Sequence, residues 1–145
     1  MTEKIETTIL RNLLHSEEFY RKVVPFLKAE YFEDVAEKIV YEEIDDFSGK
    51  YDKMPTSEVL ILQLQNRNDI TEETYQNAVE KIKAFNDEYV DTSWLTDQTE
   101  KWCQDRAIYN ALLLSIKVAD GGDQKLSKDA IPSILQEALA VSFDE

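Results

Sequence analysis

Few residues of this chain have the types and spacing that catalysis needs. His15 is the single histidine and Cys103 the single cysteine among 145 residues. A zinc site needs more histidines or cysteines than one of each. A di-iron site of the ferritin type needs Glu-x-x-His pairs, which are absent although Glu17 and Glu18 lie near His15. We therefore predict no metal site, and interpret His15 as a surface residue and Cys103 as a small, partly buried one.

Phosphate chemistry is also unsupported by the sequence. A phosphate-binding loop of the pattern G-x-x-x-x-G-K-[ST] lets backbone amides approach phosphates without interference from Cβ atoms. Gly49 has no second glycine at that spacing, and Gly121-Gly122 is followed by Asp123, whose charge repels phosphate. We expect no catalytic residue, no bound cofactor and no ATP hydrolysis by this chain, which is predicted not to be an enzyme.

The charge of the chain limits its partners. It carries 16 basic and 30 acidic residues, for a net charge of −14. Tight binding to nucleic acid relies on a field of lysine and arginine that this chain lacks, so we expect weak or no direct binding. Acids concentrate on one side of the helix expected around residues 32–47, which is either a solvated face or a docking surface for a basic protein. Those acids are Glu33, Asp34, Glu37, Glu42, Glu43, Asp45 and Asp46.

Hydrophobic spacing predicts an all-α fold with a small helical bundle. Ser16 and Thr56 are expected to cap helices at their N-termini, and Gly49 to end the acidic helix. The segment Asp69–Glu72 has the spacing of a capping box. The apolar run 59–64 could also be a buried strand, but no second strand exists to pair with it, so a helix is preferred.

The longest predicted helix covers residues 93–119 and has mixed charges with many aromatic residues. At about 1.5 Å per residue it rises roughly 40 Å, which is longer than a small core needs. Trp94 and Trp102 lie about two turns apart, and Tyr109 follows them. These three residues either pack in the core or form an interface between paired subunits.

The end of the chain is predicted to be separate from the body. Two of the three glycines, Gly121 and Gly122, predict a helix stop and a flexible hinge over residues 120–128. We expect a helical domain over 1–119 and a separate linker helix over 129–145. The apolar face of that helix consists of Ile131, Ile134, Leu135, Ala138 and Leu139, and we expect the helix to dock on another surface; the resemblance described below implies that this face makes the contact.

The sequence also bears on the cellular compartment. A lone cysteine excludes an internal disulfide framework. No apolar run approaches the ~18 residues of a membrane span. The first residues, Met1–Glu6, lack the basic and apolar regions of a signal peptide. We expect a soluble protein of the cytoplasm that binds no membrane; for a phage product this would be the host cytoplasm.

The order of these elements resembles a known module. The resembling stretches are the opening helix (5–14), Val24–Glu33, Lys53–Ser57, Ser93-Trp94-Leu95 with Glu100–Ala107, and Ala130–Leu139 with Ser142–Asp144. They cover nearly the whole chain and are similar to the N-terminal domain and linker helix of hexameric replicative DNA helicases of the DnaB type, especially those of T-even-like phages. The similarity lies in order and spacing, since none of the stretches is a catalytic signature.

The resemblance implies a role in ring assembly. In that family this region is not the motor. It is a small helical domain that ends in a long helical hairpin, and it forms a collar, often by pairing hairpins, where primase or the helicase loader docks. The linker helix packs on the ATPase domain of the neighbouring subunit. ATP and Mg²⁺ belong to that ATPase domain, which drives 5'-3' unwinding and is missing here. The chain is thus expected to be part of a longer helicase; the alternative is a standalone acidic adaptor or DNA mimic that binds a basic partner.

Overall fold

The structure, a computed structural model, describes residues 3–144 and is built from helices alone over that range. The all-α prediction is therefore confirmed. Seven α-helices occur in these residues: α1 (Ile5–His15), α2 (Glu17–Val23), α3 (Val35–Tyr51), α4 (Ser57–Gln65), α5 (Glu72–Ala84), α6 (Thr92–Ala119) and α7 (Ile131–Leu139). Short 3₁₀ turns cover Val24–Phe26, Ala29–Tyr31 and Lys128–Ala130.

Side-chain caps set several helix starts. Ser16 accepts a hydrogen bond from the Phe19 amide and Thr56 one from the Val59 amide, as predicted. The ambiguous run 59–64 is helical and lies within α4. The capping box expected at Asp69 is wrong, because α5 is capped two residues later by Thr71. Thr71 lies directly before the first helical residue, which is where an N-cap must be.

The predicted end of α3 at Gly49 is also wrong. The helix continues through Gly49 to Tyr51, and Asp52 follows with a left-handed φ of 51°. Aspartate is one of the few non-glycine residues that adopt this conformation readily, so it can serve the same terminating role. A glycine inside a helix costs only about 1 kcal/mol, which neighbouring packing can offset.

The chain divides into two compact units, with the division between Thr96 and Asp97. The first unit contains α1–α5 and the first turn of α6, and its core is filled by large side chains. The largest fully buried ones there include Tyr41, Phe19, Ile9, Leu10, Leu13, Ile44, Leu60, Leu64, Ile82 and Leu95. The second unit contains the rest of α6 and α7. The predicted boundaries at 119/120 and 128/129 stay a prediction.

No helix within residues 3–144 is long and apolar enough to cross a membrane.

Candidate functional site

The second unit carries an exposed apolar stripe on α6. Tyr109, Leu112, Leu113 and Ile116 are 47%, 49%, 51% and 59% exposed. Their spacing of three, one and three residues places them on one face of the helix. We call these four residues the α6 stripe. Scattered exposed apolar residues are ordinary on protein surfaces, but a continuous row on one helix face indicates a binding surface.

The surroundings of the α6 stripe are nearly free of charge. Between Arg106 and Asp120 the sequence contains one charged residue, Lys117. The Arg106 guanidinium lies 4.8 Å from the centre of the Tyr109 ring, a cation–π contact at the start of the stripe. The opposite face of this half of α6 is buried, and its side chains are small. They are Ala107, Ala111, Ser115 and Val118. The four large side chains of the α6 stripe therefore lie on the face opposite these buried residues.

The structure separates the three residues of the predicted hairpin interface. Tyr109 belongs to the α6 stripe. Trp94 is 53% exposed and lies in the first unit, whereas Trp102 is 8% exposed and contributes to packing. The three neighbours of Tyr109 in the stripe were not predicted as interface residues. The sequence signal that could have identified them is the charge-free run that follows Arg106.

The predicted docking face on α7 is unevenly exposed. Leu139 is 71% exposed and Ala138 is 8% exposed. Ile131, Ile134 and Leu135 are half-buried. Of the five predicted docking residues, Leu139 offers most of its side chain to solvent.

The residues after α7 are hydrogen-bonded to the first half of α6. The Phe143 amide donates to Glu100 Oε2 at 2.7 Å, and the Gln104 side-chain amide donates to the Val141 carbonyl at 3.1 Å. The Ser142 hydroxyl lies 3.5 Å from the same Glu100 oxygen. We call these contacts the C-terminal latch. They join two of the stretches that carry the family resemblance, 100–107 and 142–144.

The turn before α7 has its own hydrogen bonds. Gly121 has a φ of 75°, and the Gly122 amide donates to the Lys117 carbonyl at 2.8 Å, which together end α6 in the manner of a Schellman motif. Asp123 then accepts from the amides of Lys125 and Leu126 at 2.8 and 3.0 Å. The predicted helix stop is confirmed at Gly121.

The two residues considered for catalysis are His15 and Cys103, and neither has the surroundings of a catalytic residue. His15 is exposed at the end of α1. Cys103 is fully buried, and this burial, with a smaller contribution from the Glu100 charge, raises the pKa of its thiol to about 12. A thiol with that pKa is protonated at neutral pH and therefore a poor nucleophile. Among residues 3–144 no group of three or more His, Cys, Asp or Glu side chains could hold a metal ion.

The acidic face of α3, predicted to be either solvated or a docking surface, is only partly solvated. Glu37 is 2% exposed and Glu43 is 7% exposed. Lys4 Nζ lies 3.2 Å from Glu37 Oε2, and Arg67 Nη1 lies 2.9 Å from Glu43 Oε2. Gln63 also donates to the Glu43 carboxylate at 3.0 Å. A carboxylate can be buried where a cation and hydrogen bonds replace water.

The fold and the stripe define a class of protein: over residues 3–144 it is all-helical, with an exposed apolar face on its longest helix. No family model matches the chain. It is 32% identical over 144 residues to the DnaB-like replicative helicase of Enterobacteria phage T4, a match covering 94% of this chain. The chain is therefore related to the phage DnaB-like replicative helicases, as predicted. It spans about 30% of the length of that relative.

Proposed function

We propose that this chain is the N-terminal, non-catalytic region of a phage replicative helicase and that it organises the hexameric ring by pairing with a second copy through the α6 stripe. The observation that carries the proposal is the stripe itself. Four large apolar side chains, each about half exposed, lie in one row on a helix. In a ring of helicase subunits, a second copy of the chain would be present to cover such a face.

The chemistry of the α6 stripe favours a second copy as its occupant. The whole chain has a net charge of −14, so two copies repel each other over most of their surfaces. No acidic residue lies between Asp105 and Asp120. The stripe is therefore a region where two copies can approach with little repulsion, and an apolar row is complementary to itself.

The energy of this pairing indicates a reversible contact. Full burial of a large apolar side chain gives about 1.5–3 kcal/mol, and these side chains are already half-buried. Eight of them across a pair then give about 6–12 kcal/mol in gross terms. Association itself costs roughly 4–15 kcal/mol. We expect pairing that depends on concentration and is strengthened by other contacts in a ring.

The remaining parts of the proposal concern partners. We propose that primase or the helicase loader docks on this region, and that α7 contributes to contacts with the ATPase domain of the neighbouring subunit through Leu139 and the half-buried residues of its apolar face. In this proposal ATP and Mg²⁺ bind the part of the helicase that this chain does not contain.

Disulfide cross-linking tests the pairing. In a symmetric pair the middle of the stripe meets the middle of its partner, so Leu113→Cys should form a disulfide between copies under mild oxidation. The matched control is Leu62→Cys on α4, since Leu62 is 52% and Leu113 51% exposed. The buried Cys103 can stay in both variants. Equal cross-linking of the two variants would contradict pairing through the stripe.

A second candidate function is a standalone acidic adaptor that binds a basic partner, favoured by the net charge of −14. The reading frame beyond Glu145 separates the two candidates. A Walker A sequence downstream is expected if the chain is part of a helicase. A natural stop codon directly after Glu145 would contradict the helicase proposal and favour the adaptor.

A further inference from the structure

A second exposed surface lies in the first unit, at the segment between α5 and α6. This segment, residues 85–91, is called the Tyr89 loop. Tyr89 is 84% exposed, and Trp94, in the first turn of α6, is 53% exposed. Two large aromatic side chains exposed within six residues indicate a binding surface, because such residues dominate the energetics of protein interfaces.

Hydrogen bonds hold the backbone of the Tyr89 loop in the conformation that exposes Tyr89. Arg11, which is 4% exposed, donates from Nη1 to the Glu88 carbonyl at 2.8 Å. The Asn86 side chain accepts from the Glu88 amide at 3.0 Å. Asp91 accepts from the Trp94 amide at 2.9 Å and so caps α6. The segment that carries Tyr89 is therefore joined to α1 at Glu88 and to α6 at Asp91.

The charged residues in the sequence around the two aromatic residues are all acidic. Between Lys83 and Lys101 the sequence has no basic residue, and it places Asp87, Glu88 and Asp91 beside Tyr89. All three of these acids are exposed. Aromatic faces attract arginine and lysine through cation–π contacts, and carboxylates pair with the same cations. The surface is thus complementary to a positively charged partner and repels nucleic acid.

We propose that the Tyr89 loop and Trp94 form a docking site for a basic protein segment in which arginine or lysine neighbours an apolar side chain. Tyr89 and Trp94 supply the apolar contact, and Asp87 and Glu88 supply the charge. This site goes beyond pairing through the α6 stripe and lies in the other unit. It can fail while pairing succeeds, and the reverse is equally true.

Peptide binding tests the aromatic part of the site. The probe is a fluorescently labelled peptide in which arginine alternates with leucine, and binding is followed by anisotropy at low salt. Tyr89→Ala should weaken binding at least about fivefold, as expected for a central interface residue. The control is Tyr51→Ala: Tyr51 is 58% exposed but has Lys50 beside it and Lys53 two residues on, so its loss should change binding less than about twofold.

Charge variants test the electrostatic part. The pair Asp87→Asn/Glu88→Gln should weaken binding and reduce its dependence on salt, because two exposed charges leave the site. The backbone atoms of Glu88 keep their hydrogen bonds in this variant. The control pair Asp45→Asn/Asp46→Asn removes the same charge from exposed positions on α3 and should have the smaller effect. Melting temperatures confirm that each variant is folded.

Two results would overturn the proposal. If Tyr89→Ala and Tyr51→Ala bind equally well, the aromatic contact does not exist. If both charge pairs weaken binding equally, the peptide binds the acidic surface as a whole and not this site. A Tyr89→Phe variant should bind like the unmodified chain, because the ring is retained.

Discussion

The two units of the chain differ in the size of the side chains that their helices bury. In the first unit residues such as Leu13, Tyr41 and Leu60 are fully buried, and two buried glutamates have cationic partners. In the second unit the four residues of the α6 stripe are about half exposed, and the opposite, buried face of this part of α6 holds small residues.

This difference indicates which unit is complete by itself. A protein segment that has buried its large side chains and paired its buried charges needs no further partner for stability. A helix that buries alanine and serine but exposes leucine has its stabilising face uncovered. We infer that the first unit is self-sufficient and that the second is completed by assembly.

Truncation of a buried side chain tests whether the core of the first unit stabilises it, and this change should have the largest effect. Leu60 and Leu62 are neighbours on α4, but Leu60 is 0% and Leu62 52% exposed. Leu60→Ala should lower the free energy of unfolding by about 2–5 kcal/mol, since it leaves a cavity. Leu62→Ala should change it by less than about 0.5 kcal/mol. Urea unfolding measures both, and similar losses would contradict the assignment of Leu60 to the core.

Breaking the C-terminal latch tests how firmly the second unit holds its own end, with a smaller effect. Glu100→Ala removes the acceptor of the Phe143 amide, a charge-assisted hydrogen bond worth about 1 kcal/mol at a half-buried position. Amide hydrogen exchange over residues 141–144 should quicken about fivefold. Lys101→Ala, an exposed neighbour, is the control. Unchanged exchange in Glu100→Ala would show that the latch does not restrain this segment.

Glu37, a buried acid of α3, gives the smallest effect, which depends on pH. Burial raises the pKa of Glu37 above its ordinary value of 4.5, and the hydrogen bond and charge of Lys4 only partly offset this. The folded state then binds the proton more tightly than the unfolded state, so stability falls as pH rises from 4.5 through the raised pKa.

The substitution Glu37→Gln removes this titration. As the pH is raised from 4.5 to neutrality, the free energy of unfolding of the variant should increase relative to that of the original chain. Urea unfolding at the two ends of this range measures the difference. The control is Glu80→Gln at an exposed position of α5. A loss of relative stability on raising the pH would mean that the pair with Lys4 outweighs the cost of burial.

Helix identity was predictable from the sequence because the apolar spacing and the caps are local. Ser16, Thr56 and the stop at Gly121 act within a few residues of their own position, and these predictions are confirmed. The burial of Glu37 was not predictable, because its partner Lys4 is 33 residues away. A partner at that distance is brought close only by tertiary folding.

The candidate site was predicted in part. Tyr109 was identified as an interface candidate from its residue type. Trp102 has the same character but is 8% exposed, and Leu113, an ordinary core residue by type, is 51% exposed. Apolar residues spaced around a whole helix do not reveal which side neighbouring elements cover, so the orientation of α6 had to come from the structure.

The central claim is that the α6 stripe pairs two copies of this chain, and sedimentation equilibrium over a series of protein concentrations tests it most directly. The chain has a mass of 16.9 kDa. Its apparent mass should rise toward that of a dimer with concentration, whereas a Leu113→Glu/Ile116→Glu variant should stay monomeric and keep its melting temperature. A chain that remains a monomer at every concentration, or a variant that associates as the original does, would contradict the claim.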